Sequence, residues 1–249
     1  EAGKHVYVEK PLTLKSADAQ TLCETADRVS RNLMVGHLFE YHPAVLRLRQ
    51  MVDAGELGEI HYIYAQRLNL GIIRKDENAF WSLAPHDISI INYLLDEEPV
   101  SVSARGQCFL QKDVEDVVFC NLEFPGGRMA NIQVSWLDPN KVRRVTVVGS
   151  QKMAVFDDVE TSEKIGLYDK GVETSDYQSY GDALTLRTGD ITIPKIDMTE
   201  PLRAECTHFI DSIRNGETPR SDGRDGLRVV KVLEAAEKSL KMHGEPIVL

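Results

Sequence analysis

The stretch from Pro99 to Asp158 limits the fold more than any other. Five strand-like segments follow one another there: PVSVSARGQCF, DVVFCNLEF, MANIQVSWL, VRRVTVVGS and KMAVFDD. Each is rich in β-branched or aromatic residues, and only short polar turns separate them. FPGGRM, between the second and third, is a hairpin signal. Parallel neighbours need a crossover of a dozen or more residues, which these turns do not supply. The stretch therefore predicts a mostly antiparallel sheet.

The start of the chain has a different texture. HVYVEKPL (His5 to Leu12) begins as a buried-type strand and stops at Glu9, Lys10 and Pro11. Pro11 has no N–H for a central ladder, so Glu9 and Lys10 sit at a strand end. In open α/β sheets that is where ligands bind. Ser16 is placed to cap a helix whose apolar residues Ala19, Leu22, Cys23, Ala26 and Val29 recur at helical spacing. NLMVGHLF then reads as a second strand. Strand, helix, strand implies a parallel βαβ unit. One such unit is not a domain, so residues 1–38 read as the closing part of something larger and residues 39–249 as a second domain.

Four further helices are expected. PAVLRLRQMVDAGELG has Pro43 in its first turn and Gly55 or Gly58 as a stop. After a strand, EIHYIYAQRLN, and a polar loop, GIIRKDENAF, the segment LAPHDISIINYLL reads as a helix entered at Pro85, with Ile88, Ile91, Leu94 and Leu95 as its apolar face. Residues 160–197 are polar and read as loop with one or two short strands. EPLRAECTHFIDSIRNG places Leu202, Cys206, Phe209, Ile210 and Ile213 on one face, with Gly216 as a stop. DGLRVVKVLEAAEKSLKMHG repeats the pattern and ends at Gly244. The fold class is α/β (α+β): a βαβ remnant, then a large open sheet covered by helices.

A net charge of −10 argues against nucleic acid or anionic membranes as partners. No apolar run approaches the ~20 residues of a membrane span. Cys23, Cys108, Cys120 and Cys206 are far apart and form no CxxC or Cys/His cluster, so no metal site is expected. They read as buried free thiols of a cytoplasmic protein. No GxSxG, HExxH, P-loop or GxGxxG occurs; GELG (Gly55 to Gly58) is a helix stop.

Three features could carry chemistry: Glu9-Lys10-Pro11, the His86-Asp87 pair, and DPNKVRR (Asp138 to Arg144). Each has an ordinary explanation. A strand-end lysine is usually solvated, an aspartate near a helix start answers the macrodipole, and KVRR suits an exposed strand face. His37 and His42, five apart, do not share a helical face and read as structural.

The order AGKHVYVEKPL, GHLFEYHPAV, GELGEIHYIYAQR, WSLAPHDISIINYLL and terminal GLRVVKVLEAAEKSL resembles the Gfo/Idh/MocA family of NAD(P)-dependent sugar and cyclitol oxidoreductases. The resemblance implies a Rossmann domain followed by an α/β domain whose open sheet forms a homo-oligomer interface. It implies NAD or NADP as cofactor and a sugar, cyclitol or nucleotide-sugar as substrate. By resemblance Lys10 lies beside the nicotinamide and the reacting carbon, Glu9 and Pro11 shape that turn, and His86 is the acid/base. Arg67, Trp81, Ser82 and Asp87 fall at substrate-binding positions, with Arg67, Arg74, Arg143 and Arg144 available for phosphates. The family often carries an aspartate where this chain has Ser82, which cannot act as a carboxylate. The dinucleotide fingerprint does not occur, so the chain resembles a member lacking most of its Rossmann domain. Such a chain would expose the edges of the HVYVEKP strand, and oligomerisation or disorder near Glu1 is the expected response. A non-catalytic oligomerising or binding module is the alternative.

Overall fold

The computed structural model describes residues 2–173 and 185–249. As the alternation predicts, β1 (Val6–Val8) and β2 (Leu33–Val35) pair in parallel, with Tyr7 opposite Met34, and α1 (Ser16–Arg28) crosses between them. Two details differ. Ser16 does not cap α1 but is its first residue; its N–H and Oγ donate to Glu234 Oε2 at 3.2 and 2.5 Å. Ala19 and Cys23 face inward, whereas Leu22 is exposed. β2 is also shorter than NLMVGHLF, because Leu38–Tyr41 turn as a 3-10 helix.

Next come α2 (Pro43–Asp53), with Pro43 at its first position, β3 (Ile60–Leu68) and α3 (Ala79–Leu95). The chain continues through β4 (Ser101–Gln107), β5 (Val117–Glu123), β6 (Met129–Ser135), β7 (Val142–Gly149) and β8 (Met153–Asp157). β9 (Ile165–Glu173), β10 (Thr185–Thr192), α4 (Pro201–Asn215), α5 (Gly223–Lys241) and β11 (Ile247–Val248) complete it. Among the described residues these strands form one sheet in the order β10-β9-β8-β7-β3-β6-β5-β4-β11. β3 and β6 run parallel and the other pairs antiparallel, as the short turns require. β9 and β10 are the one or two strands expected in residues 160–197, longer than the short ones anticipated: β10 is the edge of the sheet and β9 lies between β10 and β8. The part of that reading on residues 174–184 lies outside the described residues.

One face of the sheet carries the core. Ile63, Ala65, Ile132, Val134, Val145 and Val147 pack with Ala84, Ile88 and Ile91 of α3 and Val229, Leu233 and Ala236 of α5. A smaller cluster of Leu12, Ala19, Cys23, Leu33, Val35, Leu227 and Val230 fastens the βαβ unit to α5. The approach is close: a Cβ on Gly226 would stand 2.6 Å from Val35 Cγ2.

Three expectations need correction. α3 does not begin at Pro85; Asn78 caps it, its Oδ1 accepting the N–H groups of Phe80 and Trp81 at 3.1 Å each, and Pro85 lies inside the helix. The apolar face expected on α4 is not buried: Leu202, Cys206 and Ile210 are exposed, and Glu205 and Ser212 are the buried residues. The inward side of α4 meets Tyr7, whose hydroxyl donates to Glu205 Oε2 at 2.8 Å and whose ring lies 5.8 Å from that of Phe209, and Tyr41 of the 3-10 turn, whose ring lies 5.4 Å from that of His208. All four cysteines are free, but only Cys23 and Cys120 are buried; Cys108 and Cys206 are exposed.

Candidate active site

Lys10 leaves the carboxyl end of β1, and its Nζ donates to the Ser82 carbonyl at 3.0 Å. Ser82 lies in α3 one turn before His86. Helix carbonyls point toward the C-terminus, so the ammonium docks on the turn that leads to His86. Pro85 has no N–H, so the carbonyl that loses its intrahelical donor is that of Trp81, next to the Ser82 carbonyl that Lys10 meets. Burial holds the Lys10 pKa below the ordinary lysine value; Glu77 pulls it up, while Arg74 and Arg67 push it down. The Lys10–Pro11 peptide is cis.

The His86 ring meets Phe39 edge-on, with centroids 5.2 Å apart, and its buried Nδ1 has no partner among the described residues. Burial, then the charges of Arg67, Lys10, His37 and Arg143, hold its pKa well below the ordinary histidine value. The ring is therefore neutral at pH 7. It can accept a proton, and the nearest ammonium cannot compete for one.

Arg67 and Asp87 meet each other. Arg67 Nε and Nη2 donate to the two Asp87 oxygens at 2.9 and 2.8 Å, and the guanidinium lies 4.9 Å above the Phe39 ring. Both are buried. The pair is thus charge-neutral beside the aromatic ring that touches His86. The other arginines expected to receive phosphates also have carboxylate partners: Arg74 with Glu77 at 3.1 Å, Arg143 with Asp158 at 3.2 Å and Arg144 with Asp157 at 2.7 Å. Trp81 donates from Nε1 to Glu237 at 3.1 Å and lines a cavity of about 320 Å³ with Leu14, Asn78 and Leu240. Ser82 meets Lys10 through its backbone rather than its hydroxyl.

Sequence reasoning missed a buried polar cluster. His37 Nδ1 stands 2.6 Å from Asp225 Oδ2 and 3.5 Å from Glu40 Oε1, and Glu40 Oε1 accepts the Ser89 hydroxyl at 2.7 Å. The i,i+3 spacing of His37 and Glu40 was the available signal; nothing local ties them to Asp225, 188 residues away. The three side chains could offer one ligand atom each within 4.8 Å of one another. The short His37–Asp225 contact and Arg228 Nη2, 2.9 Å from Asp225 Oδ1, favour a proton there over a dication.

Comparison with known proteins agrees with this architecture. Residues 1–37 match the model of an oxidoreductase family with an NAD-binding Rossmann fold, and residues 45–155 match the GFO/IDH/MocA C-terminal domain. The chain belongs to the Gfo/Idh/MocA oxidoreductase family. Among similar members is scyllo-inositol 2-dehydrogenase (NAD(+)) of Bacillus subtilis, 26% identical over 100% of this chain and 72% of that protein. UDP-N-acetylglucosamine 3-dehydrogenase of Acidithiobacillus ferrooxidans is 28% identical over 92% of this chain and 69% of its own length. Its solved structure superposes with a TM-score of 0.79 over 97% of this chain and 73% of that one. Aldose-aldose oxidoreductase from Caulobacter crescentus, at 20% identity, shares the Gfo/Idh/MocA fold with a TM-score of 0.82, covering 100% of this chain and 73% of that one.

Proposed function

We propose that this chain carries the proton-transfer half of an NAD(P)-dependent oxidoreductase acting on a hydroxyl of a sugar, cyclitol or nucleotide-sugar. The observation that carries the reading is the Lys10 ammonium seated on the Ser82 carbonyl, one turn from the neutral imidazole of His86. Oxidation of an alcohol removes a proton from oxygen and a hydride from carbon. His86 takes the proton as general base. Lys10 holds the oxygen and stabilises the negative charge that develops on it. A bound nicotinamide would supply the hydride acceptor.

The nicotinamide end of such a cofactor fits Glu9, Lys10 and Pro11, which follow the carboxyl end of a parallel strand. Gly36 keeps the approach open there, since a Cβ would stand 3.2 Å from Tyr7 Oη and 3.3 Å from Glu9 Oε2. Ser82 is the substrate-facing hydroxyl. Arg67, Asp87 and Trp81 act by position, since each is already bonded within the chain. The inositol and UDP-sugar dehydrogenases among its relatives support the substrate class.

A homo-oligomer is proposed through the outer face of the sheet, where Tyr62, Phe119, Met129, Leu186 and Ile191 are exposed. Four free thiols suit a cytoplasmic setting.

The test is spectrophotometric turnover of NAD and NADP with myo-inositol, UDP-N-acetylglucosamine and free aldoses, alongside titration calorimetry of both cofactors. His86→Gln is expected to lower kcat/KM roughly 10²–10⁴-fold, and Lys10→Met to abolish detectable turnover. Micromolar cofactor binding without turnover on any polyol would leave the binding-module reading in its place.

A further inference from the structure

Outside the proposed catalytic pair, the chain buries a second histidine among carboxylates. His37 lies at the end of β2; Asp225 is in the first turn of α5, Glu40 in the 3-10 turn, and Ser89 in α3, three residues on from His86. All four side chains are buried. The contacts form one chain: Asp225 Oδ2 to His37 Nδ1 at 2.6 Å, His37 Nδ1 to Glu40 Oε1 at 3.5 Å, and Glu40 Oε1 to Ser89 Oγ at 2.7 Å. Leu38 and Phe39 stand between His37 and Glu40 in sequence, and the Phe39 ring meets His86 and underlies Arg67.

We propose that His37 is a positioning residue for His86: an imidazolium clamped between Asp225 and Glu40 that locks the Phe39 turn and the His86 helix to α5. The proposal rests on His86 being the base. A buried charge of this kind is tolerated only when paired; Asp225 and Glu40 both pair Nδ1, while His37 Nε2 has no partner among the described residues. Burial alone would depress the His37 pKa, but its hydrogen bonds to Asp225 and Glu40 outweigh burial and push it up to about 10. Burial pushes Glu40 up to about 7, helped by the Asp225 charge; burial of Asp225 is outweighed by His37, which holds that carboxyl below its usual range.

The groups bearing on His37 are Asp225 and Arg228 from α5, Glu40 from its own turn, Glu205 from α4 and His86 from α3. Those bearing on His86 are Arg67 from β3, Arg143 from β7, Lys10 and His37. Removing the His37 charge therefore relieves one of four cations that disfavour protonation of His86.

The test is a pH titration of the histidine ring resonances in the intact chain, with His86 assigned by loss of its signal in His86→Gln. In His37→Gln the apparent pKa of His86 is expected to rise by roughly half a unit or more. Ser89→Ala cuts the tie to α3 while leaving the clamp, and is expected to move the His86 ring shifts and broaden them. It serves if His37→Gln does not fold. An unchanged His86 titration in folded His37→Gln, or unchanged His86 resonances in Ser89→Ala, overturns the proposal. The readout is independent of turnover: an active His86→Gln enzyme would sink the assignment of the base while leaving the His37 result standing.

Discussion

Replacing Asp87 by Asn keeps the shape of the Arg67–Asp87 contact and removes its negative charge. Both partners are buried, and the contact is bidentate at 2.9 and 2.8 Å. The remaining guanidinium has an aromatic face 4.9 Å away but no carboxylate among its described partners besides Asp87. Removing one member of such a pair costs about 3–5 kcal/mol, because the other charge is left buried and uncompensated. Asn retains an acceptor oxygen, which puts the expected loss near the lower end, about 3 kcal/mol. For a chain of this length that corresponds to a fall in Tm of roughly 6–12 °C. Urea unfolding measures it directly, with the slope m unchanged if the native state is intact. The double variant Arg67→Met/Asp87→Leu removes both charges and fills the space, and is expected to recover most of the loss. An Asp87→Asn variant within about 1 kcal/mol of wild type, or a double variant no more stable than the single, would refute the reasoning.

Gly149→Ala should unfold the chain or cost more than about 2 kcal/mol, because the new Cβ would stand 2.1 Å from the Leu57 carbonyl oxygen; Gly216→Ala, with φ +70 but open space around it, should cost only about 1 kcal/mol by the same denaturation assay. The folded His37 pKa, pushed up to about 10, lies above the unfolded value near 6.5, so its stabilisation is complete below about pH 6.5 and is lost as pH rises through about 10. Denaturation between pH 7 and 10 should show that decline, and His37→Gln should flatten it. Tyr62→Glu combined with Phe119→Glu should convert an oligomer to monomer in light scattering; a wild-type chain that is already monomeric sinks the proposed interface.

The parts of this fold legible in sequence are those where one side chain period meets one buried face. β5, VVFCNLE, buries Val118, Cys120 and Leu122 and exposes the residues between, so alternation found it. β10, TLRTGDIT, is an edge strand with Leu186 and Ile191 exposed, so no apolar alternation marks it. α4 has helical periodicity, yet its apolar residues are not the ones the structure buries, and Tyr7 meets Glu205 instead. Lys10 and His86 stood out by position, at a strand end and a helix start, but only family resemblance gave them roles; neither residue type in isolation distinguishes a site from a solvated strand end or a packed helix. Of the His37 cluster only the i,i+3 spacing to Glu40 was legible, since Asp225 lies 188 residues away and a buried carboxylate looks like any other in sequence.

The position of Pro85 also explains the surroundings of Lys10 and His86. Proline is common at the first turn of a helix, which makes Pro85 look like a start. Asn78 starts the helix instead, and Pro85 falls inside it, where it removes a donor from the preceding turn. Ser82, which the later start would have left in a loop, becomes a fixed helical residue whose carbonyl accepts from Lys10 Nζ at 3.0 Å. His86 moves from an expected helix entrance, open to water, into the packed body of the helix against Phe39. An imidazole at an exposed helix entrance would titrate near its ordinary value, lowered modestly by the macrodipole. Inside the helix, burial is the largest influence on His86 and keeps it neutral. The early helix start thus gives α3 two effects: its Ser82 carbonyl anchors the Lys10 ammonium, and its packing desolvates the His86 imidazole.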